Sequence, residues 1–230
     1  MVLKREKERE ESVMDNQKAS NTVVDIAHMM YERRMVTTFE GNVSLRCGDR
    51  MYITPTSQCK GDLTEDMVVV LDMAGGIVDG RLRPSSEYRM HLEFYRLRPD
   101  ITCVVHTHSP YATAFACCRI PIRSRSYFEA IAMFDTIPVA DYGLTGSERI
   151  FQGIAKYVDE TEVMLLANHG VVSYHADPYQ AFYQVEAVEA IAKVLAITRT
   201  LGGEHPLDPE DIEDLYRLRR ETRGRGELKL

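Results

Sequence analysis

Apolar side chains at Val23, Val24, Ala27, Met30 and Tyr31 recur every three to four residues, which predicts an amphipathic helix from Asn21 to about Arg34. The period then shortens. Residues 38–46 and 51–54 read as paired strands around the turn Cys47-Gly48-Asp49-Arg50. Residues 67–71 predict a short buried strand, which Ala74-Gly75-Gly76 turns back. Met90, Leu92, Phe94 and Tyr95 predict a helix that begins near Ser85 or Ser86 and stops at Arg98-Pro99. Ile101, Val104 and Val105 open a strand running into the interior, and Ser109-Pro110 ends it. That pair can start the next helix, to Cys117 or Cys118, with Ser at the cap and Pro in the first turn. Residues 121–137 show no clear period, and Tyr127-Phe128-Glu129 falls there in a loop or helix.

Residues 147–158 predict a helix, 163–167 a buried strand and 171–174 another. Asp177-Pro178 caps a long helix with Ala181, Phe182, Val185, Val188, Ile191 and Leu195 on one face, ending at Gly202-Gly203. Asp208-Pro209 opens a last helix through Arg220. Helices alternating with several strands close in sequence predict an α/β fold with a mixed sheet between helices. The expected organisation is a charged extension over residues 1–19, one domain over 20–220 and a flexible tail over 221–230.

Composition narrows the classes of partner. At 230 residues, 44% of them apolar and 27% charged, the chain can bury one full core. A net charge of −7 argues against nucleic-acid binding, which wants a basic face. It leaves room for a small phosphorylated substrate in a locally positive pocket. No apolar run reaches the length of a membrane span, and residues 1–12 lack the apolar core of a signal peptide. The five cysteines form no C-x-x-C pair, and an odd number suits reduced thiols. A cytoplasmic location is expected.

The candidate chemistry centres on His106-Thr107-His108. Residues two apart in a strand point to one face, so the two imidazoles project side by side. Together they are two thirds of a three-histidine metal site. His169 also closes a strand and precedes a glycine, Gly170, which makes it the natural third ligand, with His175 a weaker candidate. His28 and His91 read as structural. Ser85-Ser86 at a helix N-terminus offers hydroxyls and amides to an anion, and Glu87 stands beside them. The hydroxyl-rich turn Thr54-Pro55-Thr56-Ser57 and the backbone at Gly41-Asn42 could also approach a ligand.

Gly41-Asn42-Val43-Ser44, Thr54-Pro55-Thr56-Ser57, Pro84-Ser85-Ser86-Glu87, His106-Thr107-His108 and Asn168-His169-Gly170 occur in the order and approximate spacing of the class II aldolase/adducin family, which the chain resembles over roughly residues 20–220. The resemblance implies a three-layer α/β/α sandwich with a largely antiparallel central sheet, and a homotetramer with active sites at subunit interfaces. It implies that His106, His108 and His169 bind zinc, with manganese or cobalt as possible substitutes. Glu87 would be the acid/base and an additional metal ligand when substrate is absent. Gly41, Asn42, Thr56, Ser57, Ser85 and Ser86 would hold the substrate phosphate, although Ser57 stands where the family often has Gly.

The implied reaction is cleavage of a ketose 1-phosphate, such as fuculose 1-phosphate or a related 5-deoxy or methylthio pentulose 1-phosphate, to dihydroxyacetone phosphate and an aldehyde. Sugar-phosphate 4-epimerases share the histidines but carry Asp where Glu87 stands. Methylthioribulose-1-phosphate dehydratases share the zinc site, and Glu129 is the acid/base candidate for that chemistry. An adducin-like scaffold without catalysis is the alternative of another class, and the intact three histidines and Glu87 argue against it.

Overall fold

The charged segment that opens the chain does not end where apolar periodicity begins. In a computed structural model, which describes residues 2–224 and side chains from 16 to 221, helix α1 runs unbroken over Val2–Glu32. Its first half is rich in Lys, Arg and Glu, strong helix formers that carry a helix without any apolar stripe. The start expected near Asn21 marks only where the helix reaches the core.

β1 (Asn42–Cys47) and β2 (Arg50–Ile53) form the expected hairpin, followed by two 3₁₀ turns (Lys60–Asp62 and Glu65–Met67), β3 (Val69–Asp72) and β4 (Ile77–Asp79). Then come α2 (Tyr88–Leu97), β5 (Cys103–Thr107), α3 (Pro110–Cys118) and β6 (Ile122–Arg123). The stretch without a legible period resolves into that two-residue strand, a π-helical turn (Ala130–Phe134), β7 (Thr136–Ile137) and β8 (Val139–Ala140). Elements this short cannot express a period. α4 (Glu148–Ala155), β9 (Val163–Leu166), β10 (Gly170–His175), α5 (Pro178–Thr200) and α6 (Pro209–Gly224) complete the chain. α6 carries the first four residues of the expected tail, and the rest of it lies outside the described residues.

Eight strands pair in the order β4-β3-β2-β1-β5-β10-β9-β8, and only β8–β9 is parallel. Alternation along each strand sorts side chains to two faces. Cys103 and Val105 pack with Val43, Val171 and helices α1, α3 and α5, while Val104 and Val172 pack with α2 and α4. This is an α/β sandwich with helices on both faces of a mixed, largely antiparallel sheet. The register sets Asn42 opposite His106 and His106 opposite Val172, so the three central strands share the face under α2.

Two caps fix the helices that flank the histidines. Asp177 caps α5 as its position predicts, accepting from the N–H groups of Tyr179 and Gln180. α3 departs from expectation. Ser109 occupies the cap position, but its hydroxyl makes no capping bond. Instead the buried Glu189 of α5 accepts from the Tyr111 and Ala112 N–H groups at 3.0 and 2.8 Å. A carboxylate at a helix N-terminus satisfies orphan donors and the macrodipole together. α3 and the chain leaving His108 are thereby anchored to α5.

Candidate metal and active site

His106 lies in β5, and His108 follows just after its end, on the same side. His169 closes the turn between β9 and β10. The rings of His106, His108 and His169 meet pairwise with centroids 4.7–4.9 Å apart. Glu87, at the N-cap position of α2, brings its carboxylate to 3.3 Å from Nε2 of both His106 and His169. Four donor atoms, one from each residue, lie within 4.8 Å of one another, a group that could hold a metal ion. Nitrogen and oxygen donors in this number suit zinc or a similar divalent transition metal.

Tautomer and orientation are set from behind. The Nδ1–H of His106 donates to the Val171 carbonyl at 2.9 Å, which leaves the Nε2 lone pair facing His108 Nε2 at 3.0 Å. Gly170 is what allows the approach. A Cβ there would stand 2.4 Å from the Thr107 carbonyl oxygen and 2.9 and 3.1 Å from the rings of His108 and His106. Gly41 has a comparable duty at the entrance of β1, where φ is +67° and a Cβ would press on Val36 and on the His106 carbonyl.

Glu87 is held by groups from two other parts of the chain and by Ser85 beside it. Asn42 Nδ2 donates to Oε2 at 2.7 Å, Thr145 Oγ1 donates to Oε1 at 3.3 Å, and its own N–H is taken by Ser85 Oγ at 3.3 Å. Behind Asn42 runs a buried chain. His91 Nε2 donates to Asn42 Oδ1 at 2.5 Å, Ser44 Oγ donates to His91 Nδ1 at 2.7 Å, and Tyr95 OH is 2.8 Å from Ser44 Oγ. The donors run from Ser44 toward the carboxylate, and His91 fixes which way the Asn42 amide faces. His91 therefore supports the site through Asn42.

Protonation favours a ligand-ready site. Burial works against the Glu87 charge, but His106, His169 and the Asn42 amide outweigh it and hold the carboxyl down to about 2. Burial lowers His106 and His169 against the opposing pull of Glu87, and it lowers His108, next to His106, to about 4. Burial likewise pushes His91 down to about 3. At neutral pH the site presents neutral imidazoles and one carboxylate. An unfolded histidine titrates near 6.5, so between pH 6.5 and 4 the unfolded chain takes up protons that folded His91 and His108 refuse. Metal-stripped protein should therefore be less stable at pH 4.5 than at pH 7, by on the order of a few kcal/mol. Thermal melts at the two values check this, and an unchanged melting temperature would contradict neutral buried imidazoles.

The remaining expected residues meet through an isolated bridge between Pro55 and Pro84. Thr56 N–H donates to the Arg83 carbonyl and Ser85 N–H to the Thr54 carbonyl, which lays the Thr56-Ser57 turn beside Ser85-Ser86. Ser57 adopts φ +56°, a left-handed conformation that explains a preference for Gly there. Ser85 is buried and Ser86 exposed, while Asn42 is engaged with Glu87 and His91. His28 donates to the Leu63 carbonyl, and His175 Nδ1 accepts from Asp177 N–H, so neither joins the cluster. Thr145 has no sequence signal, because it stands in a loop with no motif around it and reaches Glu87 across 58 residues.

Comparison with known proteins points the same way. The sequence profile of the class II aldolase and adducin N-terminal domain matches residues 21–196. The chain is 34% identical over 178 residues to an L-fuculose phosphate aldolase of Methanococcus maripaludis (strain C7), covering 77% of this chain and 96% of that one. It is 31% identical over 200 residues to the L-fuculose phosphate aldolase of Escherichia coli (strain K12), covering 86% and 93%. Among solved structures, an L-fuculose 1-phosphate aldolase superposes with a TM-score of 0.80 at 28% identity, over 90% of this chain and 96% of that one.

Proposed function

The chain belongs to the class II aldolase and adducin family, and on that footing we propose that it is a zinc-dependent aldolase that cleaves a ketose 1-phosphate reversibly to dihydroxyacetone phosphate and an aldehyde. The observation that carries the reading is the contact of three imidazoles with one carboxylate at the end of the central strands. Fuculose 1-phosphate or a related 5-deoxy or methylthio pentulose 1-phosphate is the assigned substrate class, supported by the names of the relatives above.

His106, His108 and His169 would hold the zinc, with Glu87 as a further ligand before substrate arrives. Bound there, zinc supplies Lewis-acid stabilisation of the negative charge that develops on the substrate oxygens beside the breaking bond. Neutral imidazoles leave the full charge of the ion available for that purpose. Glu87 removes or returns the proton at the substrate carbon, and the Asn42 and Thr145 bonds aim its carboxylate. Thr56, Ser57, Ser85 and Ser86, with Gly41 and Asn42, would anchor the phosphate and fix substrate orientation, supported by the bridge that lays the two hydroxyl segments side by side.

We assign the protein to the cytoplasm, as a homotetramer whose sites lie at subunit interfaces. Support for the interface comes from the exposed apolar side chains of Tyr142 and Leu144, in the loop that carries Thr145 to Glu87. No helix among the described residues is long and apolar enough to cross a membrane.

The deciding experiment is release of dihydroxyacetone phosphate from a panel of ketose 1-phosphates by zinc-loaded and chelator-stripped protein. Fuculose, rhamnulose, ribulose, 5-deoxyribulose and methylthioribulose 1-phosphates form the panel. Zinc-dependent release is the expected result, and the rate ranking identifies the aldehyde. No release from zinc-replete protein would turn the assignment to epimerase or dehydratase chemistry.

A further inference from the structure

Among the described residues, a charged side chain next to the Thr56-Ser57 turn is buried without an ionic partner. Lys60, in the 3₁₀ turn that follows the Thr56-Ser57 segment, is 1% exposed. Its ammonium has three N–H donors and a single hydrogen bond, to the Gln58 carbonyl at 3.0 Å. That bond folds the side chain back onto the turn bearing Thr56 and Ser57. Among the described residues no carboxylate lies within 4.0 Å of its nitrogen.

The surroundings do not neutralise it. Glu40 is the carboxylate that favours its charge, and its Oε2 already accepts the Thr37 N–H. The Cys59 thiol is the other group that favours the charge. Lys60 stands against the hydroxyl turn, three residues along the chain from Ser57. Burial lowers its pKa below the ordinary lysine range, as expected of a cation taken from water without a counter-charge. A partly satisfied buried ammonium is unfavourable for folding unless something else compensates it.

We propose that Lys60 is an anion-binding residue of this site, its ammonium pairing with the phosphate of the substrate where that phosphate meets Thr56, Ser57, Ser85 and Ser86. This rests on the phosphate-anchoring role given to those hydroxyl segments above. Hydroxyls and amides alone hold a phosphate by neutral donors, whereas an ammonium in a water-poor pocket adds a charge-assisted bond and favours the dianion. The protein would then keep an unpaired cation when empty and pair it only on binding. That arrangement separates function from stability, because loss of a merely structural lysine would lower the melting temperature and leave phosphate affinity unchanged.

The test is titration of zinc-loaded protein with inorganic phosphate, alongside melting temperatures in phosphate-free buffer. K60M keeps the length and apolar stem of the side chain and removes the charge. The expected result is phosphate affinity weakened at least tenfold, unchanged zinc content, and a melting temperature equal to or above that of the parent. If K60M fails to fold, K60Q is read in the same way. Wild-type phosphate affinity in the lysine variant, with weakened affinity in S85A and S86A, would overturn the role of Lys60 while the hydroxyl site stands. No phosphate binding by the parent protein would remove the hydroxyl site and the lysine proposal together.

Discussion

Glu87→Gln should retain metal and lose about 10²- to 10⁴-fold in turnover, the usual contribution of a positioned acid/base. The substitution keeps shape and a hydrogen-bond acceptor, so Asn42 Nδ2, now 2.7 Å from Oε2, can still be satisfied by the amide oxygen. His106, His108 and His169 would remain as candidate ligands, with His106 oriented by the Val171 carbonyl and the approach of His106 and His108 allowed by Gly170. What disappears is a carboxylate that its neighbours hold ionised and that can take up or return the substrate proton. Metal content measured beside the rate of aldehyde release separates the two effects. Full activity in this variant would assign the proton transfer to another group, and loss of metal would make Glu87 chiefly a ligand.

Gly170→Ala is expected to disrupt the metal site through the backbone, although residue 170 supplies no ligand. The added methyl would lie 2.4 Å from the Thr107 carbonyl oxygen, closer than any packed carbon and oxygen can stay. β10 and β5 are paired through this region, with Val171 opposite Thr107, so relief of the clash must spread the strands or displace His106 and His108. Overpacking of this kind destabilises by about 1–3 kcal/mol. The larger effect is on metal binding, where loss of ligand orientation weakens affinity by about 10- to 100-fold. Competition against a chromophoric chelator gives the affinity, and circular dichroism confirms that the fold persists. Parent-like affinity in a folded variant would mean that the cluster tolerates a shift the geometry forbids.

Most of the elements were legible because their signals are local. Short apolar, β-branched runs mark β5, β9 and β10, the turn Cys47-Gly48-Asp49-Arg50 marks β1 with its partner, and the Asp177-Pro178 and Gly202-Gly203 signals bound α5. The cluster that could hold a metal was legible for the same reason. His106 and His108 share a face by the pleat alone, and His169 with Gly170 repeats the strand-end placement. Charged helix formers hid the true start of α1, and two-residue strands with a π-helical turn left 121–137 unreadable.

What the chain alone determined is therefore the α/β alternation, the three histidines with Glu87, and the hydroxyl segments that accompany them. Only the tertiary structure decided how those residues are held. Glu189 caps α3 from 77 residues away, and Thr145 reaches Glu87 from 58 away. His91 orients Asn42 from 49 away, and Lys60 has no counter-charge among the described residues, its ammonium held by the Gln58 carbonyl of its own turn. The physical reason is that backbone period and turn chemistry act over a few residues and leave a trace in sequence. Hydrogen bonding and desolvation of buried polar groups instead depend on which distant side chains the fold brings within hydrogen-bonding distance, and no local pattern encodes that.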